Sequence, residues 1–258
     1  MCSEFRTVGG KNNESNVENV RKIFTCFLEG LVGTLWLSLI TALFATLFGM
    51  IIALAKRSGN PIVRRVTDGY MSVIRGTPIL LQLYFFWLLL PKVLPFNLSD
   101  TACIVIALII NTSAYVGEVI RAGIQSVDQG QIEAAQSLGM RKQNVFTRII
   151  MPQATKNILP ALGNQYISIV KQTSLASVFF IAELTTAYKT VQAATFSPLT
   201  PLIISGIIYY LVISCLSKGV TVMERKLMRS ESKAAPVKRV VFNRSTFNPS
   251  PYTSKESI

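Results

Sequence analysis

Apolar residues gather in five long windows, at about 27–54, 78–95, 101–120, 158–182 and 199–219, and most charges fall between them. At 1.5 Å rise per residue, about 20 apolar residues in a helix cross the hydrocarbon core of a bilayer. The pattern predicts an all-α polytopic membrane protein with about five transmembrane helices. The window 27–54 carries no charge after Glu29 and closes on Lys56-Arg57. Pro78 opens the second window after Arg75-Gly76-Thr77, where a missing N–H costs nothing in the first turn of a helix. Tyr84 and Trp87 in that window suit either an interface belt or buried packing.

The stretches between the windows set the domain organisation. Residues 1–22 are polar and lead no short apolar core with a small-residue cleavage site, so the first window is expected to stay in the membrane. Residues 23–228 hold the transmembrane domain. From 229 to 258 the chain is basic and rich in Ser, Asn and Pro, which predicts a disordered tail.

Charge then orients the spans. Lys56, Arg57, Arg64 and Arg65 follow the first window, and Arg121, Arg141, Lys142, Arg148 and Lys156 follow the third. The loops after the second and fourth windows hold only Lys92 and Lys189. The positive-inside rule puts the two basic loops and the C-terminus in the cytoplasm. An odd number of spans leaves the N-terminus outside, although Arg6, Lys11, Arg21 and Lys22 fit that side poorly.

Composition removes several classes of function. Charged residues make up only 15% of the 258, against about 25% in soluble domains. The net charge of +13 sits in loops and tail, where topology accounts for it without nucleic acid. There is no histidine, and Cys2, Cys26, Cys103 and Cys215 show no CxxC spacing. Nothing in the spacing indicates disulfides, a metal or a catalytic cluster, so an embedded enzyme is disfavoured and no cofactor is expected in this chain. No GxxxxGK[ST] phosphate loop occurs, so any ATP must be used elsewhere.

The hydrophilic stretch 126–154 is the most informative segment. Asp128 with Gln131 resembles an N-cap with its capping-box partner, and Gly139 is placed to end a short helix in the left-handed region. The exposed surface of that helix is expected to include Ala134, Ala135 and Leu138, with Glu133 offering a charge. A second amphipathic piece follows, with Val145, Phe146, Ile149 and Ile150 on its apolar side, stopped by Pro152. Small residues beside an apolar anchor suit docking against another protein. A surface helix lying on the membrane has the same periodicity.

The run Glu133-Ala134-Ala135, three residues, Gly139, nine residues, Ile149, two residues, Pro152 resembles the EAA loop of ABC import permeases. Arg75-Gly76-Thr77-Pro78, the stretch Ala114 to Ile124, Lys171-Gln172-Thr173-Ser174-Leu175 and Ala182-Glu183-Leu184-Thr185 are similar to the polar amino acid uptake group within it. The resemblance covers roughly 27–228. It implies a type I importer permease fold in a bacterial inner membrane, and a coupling role for Glu133, Ala134, Ala135, Leu138, Gly139 and Pro152. It also implies a cytoplasmic ATPase dimer that binds ATP and Mg, a second permease chain of the same or similar kind, an extracytoplasmic solute-binding protein, and a polar amino acid as substrate. The alternative is a stand-alone secondary transporter or channel for small polar solutes, which would need coupling-ion sites and often internal repeats.

Polar groups inside the windows are the candidates for a substrate path. A charge at the centre of a span costs about 2.5–3.5 kcal/mol on insertion scales and so faces protein or water. Asn111, Ala114, Tyr115 and Glu118 share one helical face, where an interior path and a structural pair with Arg121 are both open. Lys171, Gln172, Thr173 and Ser174 break the fourth window, as polar backbone does where it lines a cavity or permits a kink.

Overall fold

The computed structural model describes residues 13–95 and 97–232. Helix α1 runs Asn13–Lys56, 44 residues, so it begins within the segment that the sequence set aside as a polar leader. At 1.5 Å per residue it is about 66 Å long, well beyond a bilayer core. Residues 1–12 of that leader, and 233–258 of the expected tail, lie outside the described residues. Cys26 is buried and disulfide-bonded, against the expectation. Cys103 and Cys215 are free thiols.

The basic loop expected between the first two windows instead forms α2, Pro61–Gly76, capped by the Asn60 side chain accepting from the Ile62 N–H at 2.9 Å. Helix α3, Ile79–Val93, follows at 111° to α2, with Pro78 at its N-cap. A break at Thr77-Pro78 frees carbonyls that must find donors. The side chain of Gln82 supplies them, donating to the Ile74 carbonyl at 2.8 Å, the Thr77 carbonyl at 3.2 Å and Thr77 Oγ1 at 2.7 Å.

Helix α4, Asp100–Gln125, starts on a Ser99 cap and is the central element. It runs parallel to α1, and the two meet at Gly49 and Gly117. A Cβ on Gly49 would stand 2.5 Å from Val116 Cγ1, and one on Gly117 2.8 Å from Ile52 Cγ2. Only hydrogen at both positions permits this approach, and close packing is what holds helices together where lipid is as apolar as leucine. Trp87 donates to Asp100 Oδ1 at 2.8 Å, and Tyr84 and Trp87 both pack on Phe179, so these aromatics tie α3 to its neighbours.

Two short helices follow, α5 at Gln129–Ser137 and α6 at Lys142–Val145. A π-helical turn, Phe146–Ile150, leads into α7, Met151–Gln172, which begins earlier than the expected 158. A 3₁₀ turn, Thr173–Phe179, ends on Phe180 with φ 55°, and α8 spans Leu184–Thr195 where the sequence placed a loop. Helix α9, Leu199–Ser232, carries on past 219, so residues 229–232 are helical rather than tail.

Three of these helices, within α1, α4 and α9, are long and apolar enough to cross a membrane alone. The pair α2 with α3, and the stretch from α6 to Phe179 with α8, bring the number to five if each bent pair is one span. The main core joins Leu37, Leu83, Ile104, Leu108, Ala176 and Phe179 from α1, α3, α4 and the 3₁₀ turn. Large side chains such as Phe24, Trp36, Ile51 and Leu211 stay exposed, as lipid-facing positions do.

Candidate functional site: the α5 hairpin and the polar face of α4

Helix α5 is held at both ends. Asp128 Oδ1 accepts from the Gln131 N–H at 3.0 Å, the expected cap. The Gln131 side chain does not turn back to complete a capping box; its Oε1 accepts from Gln153 Nε2 at 2.7 Å, which ties α5 to α7. At the other end the Met140 N–H reaches the Ala135 carbonyl and the Gly139 N–H the Gln136 carbonyl, with Gly139 at φ 76°. That bond pair is a Schellman cap, and its left-handed residue favours glycine.

The held helix presents Glu133, Ala134 and Leu138, the last 84% exposed. Ala135 differs from the expectation and is buried. It sits three residues after Ile132 on the face that packs toward α6 and the π-turn, while Ile132 rests on Val127, Ala154 and Ile158. Val145 is buried, and Phe146, Ile149 and Ile150 are half-buried, as the apolar side required. Pro152 does not stop this segment. The wide π-turn before it, closed by the Met151 N–H on the Phe146 carbonyl, leads straight into α7, whose first turn accepts a residue without N–H. Arg57, just past α1, lies over the Phe146 ring at 4.7 Å and fastens this hairpin to the α1–α2 turn.

The α4 residues come together as expected on one strip, which engages α1 and α2–α3. Asn111 is buried and donates to Gln82 Oε1 at 2.8 Å, locking the capped elbow onto α4. Glu118 pairs with Arg121, whose Nε donates at 3.0 Å, and Arg75 and Lys56 stand 3.8 and 3.9 Å away. Lys56 also pairs with Asp68 at 3.0 Å, and the Arg75 guanidinium sits 5.7 Å from the centre of the Tyr115 ring. Lys171, Gln172, Thr173 and Ser174 mark the change from α7 to the 3₁₀ turn. Thr173 Oγ1 and Ser174 Oγ donate to the Val170 and Lys171 carbonyls at 2.8 and 2.6 Å, Lys171 is exposed, and Gln172 Oε1 is buried with no partner among the described residues. Among the described residues no hydrogen bond or ion pair joins this group to Glu118.

Two residues with structural weight carried no role in the sequence reading. Gln82 is one, a single amide in an apolar window. Glu183 is the other: fully buried, it caps α8 by accepting from the Thr185 and Thr186 N–H groups at 2.8 and 2.6 Å, and Tyr209 donates to it at 3.1 Å. Beside it, the Leu184 N–H donates to Thr34 Oγ1 at 3.0 Å. An ionisable group in an apolar stretch was the available signal.

Comparison with known proteins places this geometry. A permease protein of an arginine transport system from Bacillus subtilis, ArtQ, is 37% identical over 204 residues, covering 79% of this chain and 93% of its own. A putative glutamine transport system permease protein, GlnP, from Rickettsia bellii is 36% identical over 203 residues, with 79% and 93% covered. A crystal structure of an amino acid ABC transporter with histidines aligns at TM-score 0.76 and 39% identity, covering 84% of this chain and 100% of that one. The MetNI methionine ABC transporter, at 12% identity and TM-score 0.67, shares the fold, with 78% and 96% covered. Residues 45–229 match the family described as "Binding-protein-dependent transport system inner membrane component". The chain belongs to that family of inner-membrane transport components.

Proposed function

We propose that this chain is the membrane-spanning permease subunit of an ATP-driven amino acid importer, and that α5 with its exposed Glu133, Ala134 and Leu138 is the element gripped by a separate ATPase. The observation that carries the reading is that α5 is fixed at both ends while its outer face is exposed. A rigid foot transmits displacement; a frayed one absorbs it. Names of relatives at 37% and 36% identity support an amino acid as cargo. The family match does not favour a stand-alone secondary transporter or channel.

The full assembly pairs two permease chains with two ATPase chains, which bind ATP and Mg, and with a solute-binding protein outside. The basic loops and the C-terminus face the cytoplasm and the N-terminus lies outside. ATP binding closes the ATPase pair, draws the α5 hairpins together, and opens the path outward to receive the amino acid.

Reconstituted vesicles test this. Uptake must stop when ATP is withheld and survive collapse of the proton gradient. Glu133→Lys is expected to leave insertion intact while abolishing uptake and weakening capture of the ATPase. Normal uptake by that variant, or an α5 labelled by an impermeant reagent from outside, overturns the reading.

A further inference from the structure

We propose that α2 is an interfacial helix carrying a binding site for an anionic phospholipid, with an acyl chain in the slot between α1, α2 and α4 and the headgroup held by Arg64 and Arg65. Three observations bear on it. The 111° bend sets α2 across the direction of α3, the helix it leads into. On α2, Ile62, Val66 and Val73 form one stripe at i, i+4 and i+11, each more than 60% exposed. Arg64, Asp68 and Arg75 occupy the opposite face, and Arg65 and Ser72 the flank between. An apolar stripe opposite a basic face is the pattern of a helix lying in the bilayer interface.

The slot is the second observation. It holds about 640 Å³, lined by Phe48 and Ile52 of α1, Val66 and Tyr70 of α2, and Ile106 and Ile109 of α4. Its polar atoms are already engaged: the Tyr70 hydroxyl donates to the Ile110 carbonyl at 2.7 Å, and Thr67 Oγ1 to the Val63 carbonyl at 2.8 Å. What remains exposed is hydrocarbon, and it suits a hydrocarbon chain.

Charge identifies the occupant. Lys56, Arg75 and Arg121 all have carboxylate partners, whereas Arg64 and Arg65 are exposed and make no ion pair among the described residues. Long basic side chains at an apolar border keep their stems in hydrocarbon and reach the headgroup level with their charge. A phosphodiester there supplies the missing anion in bidentate form.

Native mass spectrometry of the full chain, purified in detergent with equal phosphatidylglycerol and phosphatidylcholine, reads the preference directly. Phosphatidylglycerol is expected to be retained over phosphatidylcholine, and each of Arg64→Gln and Arg65→Gln is expected to lower that preference about fivefold. Both arginines are exposed, so these variants fold. Ile109→Trp fills the slot and is expected to lower retention of both lipids. Equal retention of the two lipids, or a preference unchanged in the double arginine variant, overturns the proposal. So does efficient disulfide formation between chains carrying Val66→Cys, which identifies a second copy as the occupant. Any of these failures leaves the transport reading standing, because α5 takes no part.

Discussion

Replacing Gln82 with leucine removes the amide that satisfies the broken α2–α3 backbone while keeping the volume of the side chain. Four hydrogen bonds disappear: those to the Ile74 carbonyl, the Thr77 carbonyl and Thr77 Oγ1, and the one accepted from Asn111. Within membranes a single such bond is worth about 0.6 kcal/mol on average, because the unfolded helices find other partners. The two hydrogens of Nε2 are shared among its three acceptors, so the loss amounts to three full bonds, roughly 1.8 kcal/mol, and the orphaned groups at a break without water make that a lower bound. Equilibrium unfolding of the full chain in mixed micelles of increasing SDS content measures the loss, and a cycle with Asn111→Ala isolates the pair. The expected coupling is between about 0.6 and 1.7 kcal/mol. A Gln82→Leu loss below about 0.5 kcal/mol, or additive effects of the two substitutions, would refute the claim that this amide pins the elbow to α4.

Gly33→Ala is expected to prevent stable insertion or assembly of the helices, because the new Cβ stands 2.2 Å from the Ala182 carbonyl oxygen; Gly59→Ala, with nothing within 4 Å, is the control and should match the parent in yield and unfolding midpoint. Gly139→Ala places a Cβ at φ 76° and is expected to cost about 1–2 kcal/mol, read as lower protection of the α5 amides in hydrogen exchange, while overall unfolding shifts little.

Long apolar windows were enough to reveal the spanning helices, since the bilayer demands length and little else. The short loop helix was legible for a different reason: Asp128 and Gly139 are local signals, and each acts within a few residues. What escaped was set by partners far along the chain. Ala135 turns inward because Ile132 beside it finds a seat on Val127 and Ile158, and nothing in the run Glu-Ala-Ala distinguishes its two alanines. Pro152 stands as a stop signal until a π-turn precedes it, and periodicity at 3.6 residues cannot anticipate that change of register. Helix α2 was hidden because three arginines and an aspartate broke the apolar count that identifies spans, although the stripe at 62, 66 and 73 was present. Asn111 and Glu118 stood out as costly polar groups in a span; that they meet Gln82 and Arg75 depends on a bend of 111° between α2 and α3, and that Lys56 reaches Glu118 depends on the packing of α1 against α4.

Helix α1 is attached to two separate parts of the molecule. At Thr34 its hydroxyl holds the Leu184 N–H, and just past its last residue Arg57 covers the ring of Phe146. Those two attachments lie about 35 Å apart along a single unbroken helix. A helix of that kind behaves as a strut: a push delivered beside Phe146 arrives at the α8 cap with little delay or dilution. Under the coupling role proposed for α5, the Glu183 knot and the foot shift together or one of the two attachments lets go, and severing the Arg57 end is expected to leave the far end standing still while the foot moves.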